Sequence, residues 1–467
     1  MDKYKRLLSN TVIFAIGTFS SKLLVFLLMP LYTWALNPTE FGTADLIIQT
    51  GNLLLPLVSL GIVNAIIRFG LDKSVNKSDV FSTGLITIIG GFLVLALFAP
   101  LIGKISVISG HALLVYVFIF MSSLRSLCSQ FVRAKGYVRL YALDGILSTT
   151  TTILFNVLFL VVFHLGITGY VLATVCSDAL SSVFLFIAAS LWKYVKFQRI
   201  NKRTATDMLK YSIPLIPNMI CWWITNSSDK FIVAYMSGNG ANGLLTAAYK
   251  LPTIVVLVSS IFMDAWQMSA ITEEKNREHF FTKVFKVYGG MLFMVASGII
   301  LLSQVLMKCL TFIAKGDSYG EAWKYVPFLV MATVFSCFVT FLGSIYTVEK
   351  KSVTSMLTMA AGAAANIALN ILLIPVMGVN GATFATFISY LLVFILRVVN
   401  SKKYIHMKLN LCKISVNTLI LFVQSVIIIN SPAHWIIYEI ILTLLMLIIN
   451  AKELWQNIKK LFLRHRV

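Results

Sequence analysis

Charge is scarce in this chain, and acidic charge is scarcer still: Asp and Glu together number 18 in 467 residues, against 39 Lys and Arg. Charged residues make up 12% and hydrophobic ones 58%, with a mean hydropathy of +0.86. That composition excludes the soluble globular classes and fits a polytopic membrane protein. Cysteine pairing is absent too. Six cysteines (Cys128, Cys176, Cys221, Cys309, Cys337 and Cys412) are scattered without a Cys-x-x-Cys, so neither a disulfide framework nor a zinc site is indicated. Gly103-Lys104 is followed by Ile105 and lacks the upstream glycine of a P-loop, which argues against an ATPase. There is no Asp-x-Asp and no His-Glu-x-x-His. Loops long enough to fold as domains are also missing; the longest run over 193–208 and 271–282. No catalytic residue, metal site or cofactor is expected, and any chemistry has to happen inside the membrane.

The formal charge of +21 raises nucleic acid as a partner, but the basic residues lie in short loops between apolar spans. That is the pattern of membrane topology, so the bilayer is the expected partner and nucleic acid is not. The first apolar run, Thr11 to Leu36, is too long for a signal-peptide core and reads as the first span. Hydropathy gives about fourteen helices, at 11–36, 42–69, 80–103, 111–132, 141–164, 168–192, 209–236, 241–270, 283–308, 322–348, 352–374, 380–400, 414–430 and 433–451. With the N-terminus cytoplasmic and residues at span ends counted with the adjoining loop, four lysines (Lys104, Lys308, Lys315, Lys324) fall outside and four basic residues (Lys22, Arg125, Lys230, Lys250) within spans. The other 31 of the 39 lie on the cytoplasmic side. Such a bias sets both termini in the cytoplasm.

The chain repeats itself. Gly166-Ile-Thr-Gly-Tyr-Val-Leu-Ala-Thr-Val-Cys-Ser177 returns 212 residues later as Gly378-Val-Asn-Gly-Ala-Thr-Phe-Ala-Thr-Phe-Ile-Ser389. Asn10, Ser20 and Lys22 are mirrored 208 residues on by Asn218, Ser228 and Lys230. Six helices per repeat gives two lobes of the same orientation, related by an axis along the membrane normal. The expected organisation is an N-lobe over 1–200, a C-lobe over 201–404, and a helix pair with a basic tail over 405–467.

The most informative stretch is Tyr211 to Lys230, where an apolar run carries Pro214, Pro217, Asp229 and Lys230. At helical spacing Asn218, Trp222, Thr225 and Asp229 share one face, and Trp223, Asn226 and Lys230 the next. A charge at the centre of a membrane helix costs about 2.5–3.5 kcal/mol, so it faces a bundle interior or a wet cavity. The helices that begin each lobe show an apolar back and a polar front, which predicts a shared hydrated cleft. Lys22, Lys230, Lys250 and Arg125 would line it, with Arg68 at its cytoplasmic mouth, against Asp45, Asp178, Asp229 and Asp264. Lysine and arginine suit a phosphate-bearing ligand; internal ion pairing is the competing reading for each residue. Prolines recur in the spans (Pro30, Pro56, Pro214, Pro217, Pro252, Pro327), and a bend at Pro56, Pro214, Pro217 or Pro252 could gate the cleft. The run Ala360 to Ala365 allows close helix packing.

Pro214-Leu-Ile-Pro217-Asn218, Trp222-Trp223 and Ser228-Asp229-Lys230 stand beside Ser20-Ser-Lys22, Pro30-Leu-Tyr32 and Glu40-Phe-Gly42 in the first lobe. Together they resemble the polysaccharide-transport family: Wzx-type oligosaccharide flippases of the multidrug/oligosaccharidyl-lipid/polysaccharide (MOP) exporter superfamily. The resemblance covers essentially the whole chain and implies an all-α, MATE-like fold in the bacterial cytoplasmic (inner) membrane. It also implies an undecaprenyl-diphosphate-linked oligosaccharide as cargo, turned to the outer leaflet for capsule, O-antigen or exopolysaccharide assembly. Implied with it are a cationic cavity and alternating access, a proton or sodium gradient as the candidate driving force, and a polysaccharide polymerase and other assembly proteins as candidate partners. Three readings compete. A cation-coupled multidrug exporter would favour an acidic cavity, against the lysines here. A peptidoglycan-precursor flippase would favour an arginine-rich first lobe. A membrane polymerase or ligase would need large outer loops.

Overall fold

Asn37-Pro38-Thr39-Glu40 is a helix start written into four residues. The Asn37 side chain accepts from the Glu40 N–H at 2.9 Å, and the Asn37 N–H donates to Glu40 Oε2 at 3.0 Å. Pro38 occupies the first turn, where its missing N–H costs nothing. Asparagine caps recur at Asn76, Asn201 and Asn410; no strand occurs among the described residues.

The computed structural model describes residues 28–98, 110–197, 200–272, 277–314, 318–349 and 351–464. In order they form α1 (Met29–Ala35), α2 (Pro38–Val58), α3 (Ile62–Leu71), α4 (Lys77–Leu97), α5 (Ala112–Ala134) and α6 (Val138–Asn156, prolonged by a π-helical turn). Then come α7 (Gly166–Ala188), α8 (Lys202–Ser212), α9 (Ile216–Ser237), α10 (Asn239–Ala248), α11 (Thr253–Thr272) and α12 (Arg277–Thr311). Last are α13 (Val326–Val348), α14 (Ser352–Met377), α15 (Val379–Ser401), α16 (Leu411–Asn430) and α17 (Trp435–Arg464). Among the described residues 11 helices are long and apolar enough to cross a membrane. With α9, the apolar part of α17 and the span expected ahead of Ala35, the total is about fourteen. The burial pattern is that of a membrane protein: α17 exposes Ile437, Ile441, Leu444 and Ile448 while burying Glu439 and Asn450.

Three expected spans are interrupted. The second, 42–69, breaks after Val58. Pro56 cannot donate to the carbonyl one turn back, Leu60 and Gly61 turn to φ 49° and 62°, and the Gly61 N–H closes the end on the Pro56 carbonyl at 3.0 Å. The eighth, 241–270, breaks at Tyr249 to Pro252, between α10 and α11. The seventh, 209–236, is α8, a 3₁₀ turn at Ile213–Leu215, and then α9. Pro214 lies in that turn, Pro217 in the first turn of α9, Pro30 and Pro327 in the first turns of α1 and α13, and Pro252 in a break. Of the six prolines expected inside spans, only Pro56 is internal to a helix, because elsewhere each sits where no helical N–H is missed.

By internal packing the chain divides into two compact units: Met1–Trp223 with Gly238–Gly243, and Ile224–Ser237 with Leu244–Val467. The first unit has a core of Ile66, Phe81, Leu127, Phe131, Leu185 and Met208. Also within it, the start of α10 lies directly on the start of α2. A Cβ on Gly42 would stand 2.1 Å from the Asn239 carbonyl oxygen, and one on Gly243 1.8 Å from that of Pro38. Asn242 Nδ2 donates to the Gly42 carbonyl at 3.0 Å, and Asn239 Nδ2 to Thr43 Oγ1 at 2.7 Å. The second unit is centred on Phe285, Phe335, Phe338, Phe341 and Phe394, with ring centroids 5.1–6.4 Å apart. There Gly362, in the alanine run of α14, would carry its Cβ 2.3 Å from Val393 of α15, so the small residues do permit close packing.

The repeat is visible in the backbone. Gly166 and Gly378 both take positive φ, 54° and 60°, at the head of α7 and α15. Asn156 Nδ2 donates to the Thr152 carbonyl at 2.7 Å, as Asn370 Nδ2 does to that of Asn366 at 2.8 Å.

The close approach at Gly243 gives a direct test. Gly243→Val drives a side chain into backbone, an overpacking that costs about 1–3 kcal/mol or more, and should lower the unfolding temperature in detergent by several degrees. Gly298→Ala, with no atom within 4 Å of the new Cβ, should melt with the wild type. Equal melting of Gly243→Val and wild type contradicts the packing.

Candidate functional site

Two buried polar clusters form at membrane depth, one in each unit. In the first, α5 contributes Ser122 and Arg125, α6 Asp144 and α7 Asp178. Arg125 Nη1 meets Asp178 Oδ1 at 3.0 Å and Nη2 stands 3.7 Å from Asp144 Oδ2. The Ser122 hydroxyl donates to the other Asp178 oxygen. Both carboxylates are buried, Asp144 at 1% exposure. One guanidinium faces two carboxyls, so the cluster carries one acid more than it can neutralise and is suited to hold a proton or a small cation. Ser177 adds a neutral rim below it, accepting from Thr152 at 2.9 Å and donating to the Ser148 carbonyl at 2.8 Å.

In the second unit the polar face of α9 folds inward. Asp229, 1% exposed, accepts from the Tyr249 hydroxyl and from Thr386 Oγ1 at 3.4 Å. Ser228 donates to Asn366 Oδ1 at 2.9 Å, Asn366 to Thr386 Oγ1 at 3.3 Å, and Asn370 to Asn366 Oδ1 at 3.0 Å. The Asn226 amide oxygen accepts from Tyr390 at 2.7 Å. Lys230, 6% exposed, places its ammonium 5.0 Å from the Tyr249 ring centre. The carboxylate, two amides and a hydroxyl form a buried polar network, in which the Asn370 Oδ1 lacks a hydrogen-bond partner.

The remaining expected site residues are not gathered into either cluster. Asp45 is buried on α2, with Gln49 Nε2 at 3.4 Å; the Gln49 carbonyl accepts from Trp223 Nε1 at 3.1 Å. Arg68 is exposed and stacks on Tyr211 at 4.6 Å. Asn218 is half-buried near the start of α9, and Trp222, on its expected polar face, is 59% exposed. Lys250 is half-buried in the break after α10, where its carbonyl accepts from Thr253. Pro56 and Pro252 mark the two breaks, and Pro214 and Pro217 the entry to α9. The expectations for Lys22 and for the Asp264 side chain fall outside the described residues. Outside the spans, Ser74 donates through Oγ and N–H to Asp72 at 2.7 and 2.9 Å and holds that carboxyl below its usual range.

Five polar residues enter that no spacing argument raises: Asp144, Asn366, Asn370, Arg397 and Glu439. Arg397 counts by charge alone with the cytoplasmic residues. It is in fact 4% exposed, with Nη1 on the Val339 carbonyl at 2.6 Å, Nε on Thr358 at 3.2 Å and Nη2 on Ser355 Oγ at 3.1 Å. The one signal the five share is an ionisable or amide residue inside an expected span, and for Arg397 and Glu439 it lies near the span's end.

Removing Arg125 strands two carboxyls. Arg125→Ala should destabilise the protein by on the order of 3 kcal/mol, read as a lower unfolding temperature in detergent. In a double-mutant cycle with Asp178→Asn the two losses should fall well short of adding. Additive losses contradict the pair.

A comparison with protein families matches residues 7–267 to the family described as polysaccharide biosynthesis protein. Comparison with curated proteins yields no match. Among solved structures, the lipid II flippase MurJ in an inward closed conformation aligns at TM-score 0.73 and 18% identity, over 96% of this chain and 99% of that one. An inward-facing MATE-family multidrug resistance transporter of the MOP superfamily aligns at 0.63 and 13%, over 84% and 98%. A MOP superfamily transporter from Pyrococcus furiosus aligns at 0.54 and 12%, over 84% and 95%. At these identities the likeness is one of fold, that of a multi-pass MOP-superfamily transporter. The family match spans more than half of the chain, and the protein belongs to the polysaccharide biosynthesis protein family.

Proposed function

We propose that the protein is a flippase for undecaprenyl-diphosphate-linked oligosaccharide repeat units, moving them from the cytoplasmic to the outer leaflet for capsule, O-antigen or exopolysaccharide assembly. The observation that carries this reading is the polysaccharide family match on a MOP transporter fold. In this reading the chain lies in the bacterial inner membrane with both termini cytoplasmic and works by alternating access. A polysaccharide polymerase is the natural recipient of its product. In the second unit Lys230 and Lys250 are the groups proposed to meet the diphosphate, since a lysine acts as a point charge for phosphate; the same role is proposed for Lys22 and Arg68 in the first. Arg125 differs from these: two carboxylates already engage it, so its part is to hold the first cluster's charge. The Asp229, Asn366, Asn370 and Thr386 oxygens are where a coupling cation or proton would bind. The breaks at Pro56 and Pro252 are where the second helix of each repeat would bend.

A second reading, a peptidoglycan-precursor flippase, is favoured by the near-complete alignment with MurJ.

Deletion of the gene, with later sugar-adding enzymes intact, separates the two. An undecaprenyl-diphosphate oligosaccharide should accumulate on the cytoplasmic face while surface polysaccharide is lost, and mass spectrometry of that lipid names the cargo. Lys230→Ala should reproduce the loss with protein still in the membrane. Accumulated lipid II, or unchanged lipid-linked sugars with raised drug sensitivity, would overturn the oligosaccharide reading.

A further inference from the structure

Glu439 is used by neither cluster, and its surroundings are unusual for an acid. It lies on α17, five residues past His434 and so roughly 7 Å along the helix axis at about 1.5 Å per residue, yet it is 0% exposed. Its one hydrogen-bond partner, Gln424, belongs to a network drawn from three helices. Gln424 of α16 donates through Nε2 to Glu439 Oε2 at 2.9 Å and to Thr443 Oγ1 of α17 at 3.0 Å. Ser297 of α12 donates to Gln424 Oε1 at 2.9 Å and stands 3.3 Å from Thr443 Oγ1. The second carboxyl oxygen, Glu439 Oε1, is buried with no hydrogen-bond partner.

Among the described residues no ion pair to a basic side chain neutralises it. The helices packed against α17 are α12 and α16. Between Tyr288 and Lys308 the first carries no titratable residue, and after Lys413 the second carries none. On α17 itself the titratable neighbours are Tyr438, which is exposed, and His434 before the helix, with the next cation at Lys452.

A carboxylate in this place has one amide donor and one unmet oxygen. A carboxylic acid fits better: with the Gln424 amide turned over, a protonated Glu439 donates to its carbonyl oxygen, the amide N–H reaches Ser297, and the unmet Oε1 is then a neutral carbonyl oxygen that needs no counter-ion. Ionisation therefore requires the cluster to open to water or to take in another cation. We propose that Glu439 is a proton-binding site of the C-terminal helix pair, and that its proton holds α16 and α17 against α12. By linkage, whatever loosens that packing releases the proton, and losing the proton loosens the packing. The site is separate from the Asp229 cluster and does not depend on which lipid the protein carries.

The test is infrared difference spectroscopy of the full-length protein in lipid nanodiscs, wild type against Glu439→Gln, titrated from acid to mildly alkaline pH in sodium-free buffer and again with sodium. One protonated-carboxyl band should be present at acid pH, disappear as pH rises, and be missing from Glu439→Gln. Gln424→Leu removes the partner of both forms, and because a hydrogen bond to a carboxylate is the stronger of the two, the disappearance should move to higher pH. A wild-type-minus-variant spectrum with no pH-dependent band would overturn the proposal, whether the acid is permanently neutral or permanently ionised. So would an unshifted band in Gln424→Leu. Loss of the band on adding sodium at fixed acid pH would replace the proton site with a sodium site.

Discussion

A carboxylate or guanidinium carried into a bilayer has to find its partners inside the protein, and the helix packing of this chain follows from where those partners lie. Arg125 draws α5, α6 and α7 together through Asp144 and Asp178. Asp229 ties α9 to the end of α10 and to α15 through Tyr249 and Thr386. Arg397 reaches from α15 to a carbonyl of α13 and the hydroxyls of α14. The apolar faces left outside contribute little to specificity, since lipid is as good a neighbour as another leucine. Polar contacts and close backbone approach decide which helix meets which.

Backbone approach is the second constraint. Gly42 and Gly243 let two helix starts meet with almost no side chain between them, and the amides of Asn239 and Asn242 fix the meeting. The Glu40-Phe-Gly42 motif thus has a structural meaning: Glu40 completes a capping box, Phe41 is fully buried, and Gly42 leaves room for a neighbour. Breaks in the second helix of each repeat serve a different end. They place Lys250 and the carbonyls around Pro56 outside regular helix, where backbone can face polar groups or change conformation.

Much of this was legible in the sequence. Apolar runs of about 20 residues reveal spans because the bilayer thickness sets them, and Gly166 and Gly378 reveal the repeat because both heads need a positive φ. The polar character of α9 is equally plain. Helix breaks were less legible, since apolar runs continue on both sides of Ser59–Gly61 and of Tyr249–Pro252. Prolines mislead for a related reason: their effect depends on whether an N–H was needed, as at Pro56 but not at Pro217. Arg397 hides at a span end, where basic residues are ordinary. Asp144 and Glu439 hide because an isolated acid announces nothing until the helices that satisfy it are known.

The proposed turning of a lipid-linked oligosaccharide across the membrane can be watched with purified protein in vesicles carrying a labelled undecaprenyl-diphosphate oligosaccharide in both leaflets, probed from outside by an impermeant glycosidase under an imposed cation gradient. Accessible label should rise from about half to nearly all with the protein and stay at about half without it. Label that remains half-protected in the presence of folded protein, with or without a gradient, would contradict it.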